Sequence, residues 1–240
     1  DNDDDDDATL VHHGDEILEA WKELWTEHGW EPIVLDTSHA ELHPSYKTHS
    51  QIFESKHYRH FRGWLAMAAM GTGGWMSTID CFPLGISPDA DGLQLPNNGM
   101  FTSYDGTNPS LLSGSDTEWQ RMANELVQLA QAFTPHVREH QVYSDGDALM
   151  KDLFLNHPLP FIQEHSVGTY PYKSLGKVDC TAARKIFAVH LNPRETAFAM
   201  NVGVLDVPQG KDIHDRHYFA RVLNKKWTQQ CVGEETYPSR

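Results

Sequence analysis

Residues 62–84 constrain the fold more than any other stretch of this chain. Arg62-Gly63-Trp64-Leu65-Ala66-Met67-Ala68-Ala69-Met70 is an apolar run at helical spacing, and it ends in Gly71-Thr72-Gly73-Gly74. Apolar residues recurring on one face and stopping at glycines predict a buried helix with a defined end. Trp75-Met76-Ser77-Thr78-Ile79-Asp80 follows and predicts a short strand over 75–80, with one carboxylate, Asp80, at its far end. In an α/β sheet, ligands gather at the carboxyl ends of strands, which makes Asp80 the first candidate site residue.

The rest of the chain alternates helices and strands. Ile17, Leu18, Trp21, Leu24 and Trp25 predict a helix over 15–28, stopped at Gly29. Trp30-Glu31-Pro32-Ile33-Val34-Leu35 predicts a short buried strand. Ser38-His39-Ala40-Glu41 has the spacing of a capping box and predicts a short helix that ends near Pro44. A long helix is expected over 50–70, with Phe53, Phe61, Trp64, Leu65, Ala68 and Ala69 inward. Residues 85–100 read as a loop, and 100–104 and 109–112 as short strands. Ser115-Asp116-Thr117-Glu118 opens a helix expected to run to Phe133, and Ser144-Asp145-Gly146-Asp147 opens another to Leu155. Residues 159–170 and 185–191 are strand candidates, and 213–230 a closing helix. The alternation predicts a mixed α/β sheet with helices on both faces, and no linker divides it. An acidic flexible segment is therefore expected over 1–14, and a single domain over 15–240.

Composition narrows the function. A net charge of −15 argues against nucleic acid as a partner, because phosphate contacts need a basic surface. Asp1 and Asp3–Asp7 form a like-charge run that reads as a solvated end, with a weak calcium-collecting tail as the sharper alternative. The chain starts at Asp1 without methionine, as a processed or truncated product would. No apolar run is long enough to span a bilayer. Cys81, Cys180 and Cys231 are spaced too widely for a zinc ribbon or a redox pair, which leaves one disulfide plus a thiol, or three thiols. Ser113-Gly114-Ser115 lacks the elbow of a serine hydrolase, and the glycine run is not a dinucleotide or phosphate loop.

Gly73-Gly74-Trp75-Met76-Ser77-Thr78-Ile79-Asp80 resembles the sugar-nucleotide motif of glycosyltransferases with the GT-A fold, of the DXD-containing type that transfers mannose or related sugars. The resemblance extends over roughly residues 15–192. It includes the helix and segment from Ile17 to Leu35, His43-Pro44-Ser45-Tyr46, Phe101-Thr102-Ser103-Tyr104, Ser110-Leu111-Leu112-Ser113, and Ile186-Phe187-Ala188-Val189-His190. It implies a GT-A-like mixed sheet flanked by helices, a Rossmann-like core that binds a nucleoside diphosphate sugar. It further implies transfer of the sugar to a saccharide acceptor, and residence in the secretory pathway (Golgi or ER lumen) or outside the cell. An acidic protein cannot neutralise a diphosphate by its net field, so a divalent cation, Mn²⁺ or Mg²⁺, is implied as the bridge. By position in the motif, Asp80 and His190 are the implied metal ligands. Arg62, Gly73, Gly74, Thr78 and Asp80 are the implied nucleotide-sugar contacts. Asp80 and Asp145 are the candidate catalytic carboxylates, Asp145 facing the acceptor. Helix capping is the plainer role for Asp145.

Several positions depart from that pattern. Thr78 stands where the first aspartate of the triplet is usual, and Pro193 where a second histidine is usual. The glycine run is one residue wider, and Gly63 replaces the usual arginine, with Arg62 one place earlier. A catalytically inactive relative, acting as a carbohydrate-binding or assembly subunit beside a protein partner, is the alternative these departures favour. Among the other residues, Trp119 reads as core or as a stacking plate for a sugar. His214-Asp215-Arg216-His217 reads as a helix cap before a metal site.

Overall fold

The computed structural model describes residues 4–53, 61–88, 94–105, 109–140 and 161–232, with the side chains of 4–13 and 132–140 excepted. The protein is mixed α/β, with small mixed sheets. It divides into two compact units, each assembled from separate stretches of chain. The first takes residues 1–32, 78–90 and 165–240, and the second 33–77 and 91–164.

In the first unit, α1 spans Asp4–Glu27. It buries Ile17, Ala20, Trp21, Leu24 and Trp25, most of the stripe expected from the sequence. The helix begins at Asp4 rather than at 15, so Asp4–Asp7 lie in its first turns, where the macrodipole favours negative charge. Gly29, at φ 87°, lets the chain turn away, and its N–H donates to the Thr26 carbonyl at 2.9 Å. The three-stranded sheet has the order β2 (Cys81–Pro83), β9 (Ala188–His190), β6 (Val167–Gly168). β2 runs antiparallel to β9 with Cys81 opposite His190, and β6 runs parallel to β9. A hairpin of β7 (Tyr172–Ser174) and β8 (Lys177–Val178) precedes α7 (Cys180–Ala183), whose N-terminus Asp179 caps. α8 (Pro193–Asn201) is capped by Asn192, and α9 spans Arg216–Trp227. α9 buries Phe219, Ala220, Leu223 and Trp227 and ties to α1 through Arg221 and Glu23 at 2.7 Å. The Cys180–Cys231 disulfide joins the start of α7 to the π-helical turn Thr228–Val232 that follows α9. Cys81 is a buried thiol outside the bridge, so the arrangement is one disulfide plus one thiol.

In the second unit, four short strands form a sheet of order β1-β4-β3-β5. These are β1 (Gly74–Ser77), β3 (Thr102–Ser103), β4 (Leu111–Gly114) and β5 (Ile162–Gln163). All pairings are antiparallel except β3 with β5. Helices α2 (Thr37–Glu41), α3 (Pro44–Thr48), α4 (Ser50–Phe53), α5 (Phe61–Met70) and α6 (Asp116–His140) belong to the same unit. Its core is aromatic. Trp64, Phe101 and Trp119 are fully buried, with ring centroids 5.0, 6.1 and 4.8 Å apart.

Several elements differ from the sequence expectation. Residues 30–35 form no strand, and Ile33 is 65% exposed. Pro32 lacks an N–H to continue a ladder, and the stretch is anchored near its ends, Trp30 edge-on against Trp25 and Leu35 against the aromatic core of the second unit. The cap of α2 is Asp36, whose carboxylate accepts from the Ser38 and His39 N–H groups, so the helix starts before the Ser38 box. Glu118 does not complete the second box. It accepts from the Phe101 N–H and pairs with Arg121. The helix expected over 50–70 is seen as α4 and α5, with 54–60 outside the described residues. α6 continues past Phe133 through Pro135 to His140. The helix expected over 144–155 lies outside the described residues.

Candidate functional site

The strand expected over 75–80 ends early, and that break creates the site. β1 stops at Ser77, and the Cys81 N–H donates to the Thr78 carbonyl at 3.1 Å, closing a β-turn over Thr78-Ile79-Asp80-Cys81. Asp80 therefore sits in a turn leading into β2 and not at a strand end. The Thr78 hydroxyl donates to Asp80 Oδ1 at 2.7 Å and fixes the carboxylate inside the turn. The Asp80 carbonyl accepts from the Leu191 N–H at 2.8 Å, so the turn is also pinned to the chain just after β9.

That ladder sets the distance to His190, the last residue of β9. His190 Nε2 lies 3.4 Å from Asp80 Oδ1. The third partner comes from far along the chain. Arg216, the first residue of α9, donates from a terminal guanidinium nitrogen to Asp80 Oδ2 at 3.1 Å. The side chains of Asp80, His190 and Arg216 are 18%, 13% and 19% exposed, so the group is largely desolvated yet still touches solvent. Burial alone would push the Asp80 carboxyl above its ordinary range, because it disfavours the charged form. The hydrogen bond and charge of His190, the Thr78 hydroxyl and the Arg216 guanidinium outweigh it and hold the carboxyl down to about 2.

The neighbourhood positions Arg216 firmly. The Asn224 amide of α9 donates to the Pro83 carbonyl at the end of β2, at 3.0 Å. Asp215 precedes the helix but makes no side-chain cap bond. Its carboxylate instead takes Lys211 at 2.7 Å and the Asp212 N–H at 2.9 Å, which replaces the cap expected for His214–His217. His217 turns inward, 3.6 Å from Glu16, and burial lowers its basicity. Tyr170 is raised by burial and shares a hydrogen bond with the Thr196 hydroxyl at 3.1 Å; Arg216 lies near enough to act on its phenol electrostatically.

The sequence candidates thus separate. Thr78, Asp80 and His190 come together in the first unit. Arg62, Gly73 and Gly74 belong to the second and are engaged by that unit's own structure. Arg62 Nε donates to the Phe53 carbonyl at 2.7 Å. Gly73, at φ 68°, lies so close to the start of α6 that a Cβ would stand 2.7 Å from the Asp116 nitrogen. Its close approach is to its own chain. The Gly74 carbonyl accepts from the Trp119 indole at 3.2 Å, and Trp119 is fully buried, so it packs the core and offers no plate to a sugar. Asp145 lies outside the described residues.

The donor set at Asp80 does not fit the divalent cation implied by the resemblance. Both carboxylate oxygens are engaged, Oδ1 by a hydroxyl and an imidazole and Oδ2 by a guanidinium. Among the described residues no group of three or more His, Cys, Asp or Glu side chains gathers to hold a metal. Sequence reading passed over Arg216 as a site residue. The one local signal was its place beside two histidines and an aspartate at a helix start, and nothing there says which carboxylate the helix will face.

Among the described residues no helix is long and apolar enough to cross a membrane. A family model described as Domain of unknown function (DUF8765) matches residues 1–148. That stretch contains Thr78 and Asp80 and ends before His190 and Arg216. No curated protein and no solved structure matches the chain.

Proposed function

The chain belongs to the DUF8765 family, and on the geometry of the Asp80 turn we propose that it is a glycosyltransferase-like protein of GT-A type. It binds a nucleoside diphosphate sugar at the Asp80 turn and passes the sugar to a saccharide hydroxyl. The observation that carries this reading is the convergence of Asp80 and His190 at 3.4 Å, since the two are 110 positions apart in the sequence and are the positions that the resemblance pairs. Charge develops on the leaving diphosphate as the sugar departs, and positive groups fixed nearby stabilise it. Arg216 is the group of that kind at this turn, joined by His190 when its ring is protonated, with Thr78 and Asp80 holding them in position. The Cys180–Cys231 disulfide fits an oxidising compartment, such as the secretory lumen or the cell exterior.

A second reading has its own observation. Thr78 replaces a carboxylate, and Arg216 covers the one that remains. Both suit an inactive relative that binds carbohydrate or assembles with a protein partner. The two readings part on turnover. GDP- and UDP-sugars offered with mannose- and galactose-terminated oligosaccharides should give a nucleoside diphosphate product that accumulates with acceptor and falls in Asp80→Ala. Binding of nucleotide without product from any donor would select the inactive relative. Failure of GDP and UDP to bind under every condition would remove the sugar-nucleotide reading altogether.

A further inference from the structure

We propose that Arg216 takes the place of the divalent cation at Asp80, so that this chain binds a diphosphate without metal. The inference deepens the function proposed above and rests on it.

Geometry comes first. A hard cation bound to a carboxylate sits about 2.0–2.6 Å from its oxygen, on the side where the lone pairs point. At Asp80 Oδ2 that side holds the guanidinium, at 3.1 Å. At Oδ1 it holds the Thr78 hydroxyl at 2.7 Å and the His190 ring at 3.4 Å. A cation could enter only by expelling Arg216, and the expelled guanidinium would then be a like charge beside it. The Arg216–Asp80 pair is already neutral, so the carboxylate has little net pull on a second cation.

The second observation is an unmet donor. Arg216 Nε is buried and has no hydrogen-bond partner among the described residues. A guanidinium is a planar fork of five N–H donors, and an arginine that gives one to a carboxylate still presents the others. Oxygens of a diphosphate are the natural complement, because they accept charge-assisted bonds from two donors of one fork. The chain carries a net charge of −15, so an anion of this kind needs local positive charge, and here it comes from side chains fixed by secondary structure. Arg216 is held by α9, and α9 by the Asn224 bond to β2 and the Arg221 pair with α1. Asp80 thereby becomes a positioning residue for Arg216 instead of a metal ligand.

The test is calorimetric titration of the full chain with GDP, UDP and inorganic pyrophosphate, once in EDTA and once in excess Mn²⁺. The expected result is nucleotide binding in EDTA, with affinity within about twofold of that in Mn²⁺, since no ion-mediated contact is lost. Arg216→Gln should weaken binding in EDTA by about tenfold or more, and Arg216→Lys should restore part of it through charge without the fork. The comparison of wild type with and without chelator needs no variant, so a folding defect in either substitution leaves it intact. Free Mn²⁺ followed by electron paramagnetic resonance gives a second reading. Wild type alone should leave the signal unchanged, and Arg216→Gln should lower it by uncovering the carboxylate. Nucleotide binding seen only with Mn²⁺, or stoichiometric Mn²⁺ uptake by wild type alone, would overturn the metal-free inference and leave the sugar-nucleotide reading standing. No nucleotide binding in either buffer would overturn that reading, and this inference with it.

Discussion

The two units of this protein bury different things. The second is closed around Trp64, Phe101 and Trp119, all fully buried, with the Trp119 indole N–H satisfied at the Gly74 carbonyl. Gly73, the cap residue Asp36 and Arg62 are turned to internal use. The first unit keeps charge inside. Asp80 sits among Thr78, His190 and Arg216, and the half-buried Tyr170 lies near by. Desolvated charge is costly unless every partner is fixed, and here each partner is placed by a different element, namely a turn, a strand end and a helix start. An apolar core explains a fold without further purpose. A desolvated ion cluster that still touches solvent is the arrangement in which binding or chemistry is to be sought.

Substitutions can break this contrast, beginning with the largest expected effect. Trp119→Ala should cost the second unit about 3–5 kcal/mol by loss of buried aromatic area and the cavity left behind. Urea titration followed by tryptophan fluorescence measures it. Amide exchange in β2 and β9 should be unchanged if the cost stays within that unit. The reciprocal experiment is the Cys180→Ser/Cys231→Ser double variant. The bridge spans a sequence separation of 51, so its loss should lower stability by about 2–4 kcal/mol. Exchange should rise first in α7 and α9 while β1 and β4 keep their protection; equal loosening in all four would mean that the staple does not belong to one unit.

Asp80→Asn is expected to cost about 1–3 kcal/mol, less than a fully buried pair because the group touches solvent. The pH dependence has a definite sign. The Asp80 carboxyl is held down to about 2 in the folded chain against 3.8 ordinarily, so its contribution is complete above the ordinary value and is lost as pH falls toward 2. The difference in melting temperature between wild type and Asp80→Asn should therefore be constant near neutrality and close between about pH 4 and pH 2. A gap that closed near pH 6 would assign the effect to a histidine. Gly73→Ala should have the smallest effect of the four, about 1–2 kcal/mol, from a positive φ and a Cβ pressed toward the Asp116 nitrogen. A variant that melts like wild type but loses nucleotide would return Gly73 to a ligand role.

Local periodicity carried much of the architecture. The stripe Ile17, Trp21, Leu24 and Trp25 and the run Met122, Leu126 face inward as their spacing says, β3 and β9 fall within the expected stretches, and β4 begins two residues later than the strand expected over 109–112. What escaped depended on partners distant in sequence. Residues 75–80 look like one strand because Ile79 is apolar, yet Ile79 is 45% exposed at the tip of the Thr78–Cys81 turn. The hydroxyl-to-carboxylate bond of Thr78 and Asp80 is a turn signal that hydropathy does not register. At the site, Asp80 and His190 were legible as members of a motif, and their contact follows from a strand register that no local rule supplies. Arg216 was not legible as a partner, because a helix start reveals its cap and its dipole but not what it faces across the fold. The disulfide was open for a similar reason, since three cysteines allow several pairings.

The bridge between Cys180 and Cys231 also makes the intervening polypeptide a covalent ring, and both basic neighbours of Asp80 ride on that ring. A protease that cut the exposed bend around Gly210 would therefore release nothing. The severed halves would stay tethered, one carrying His190 and the other Arg216, and would part on a gel only after treatment with a thiol.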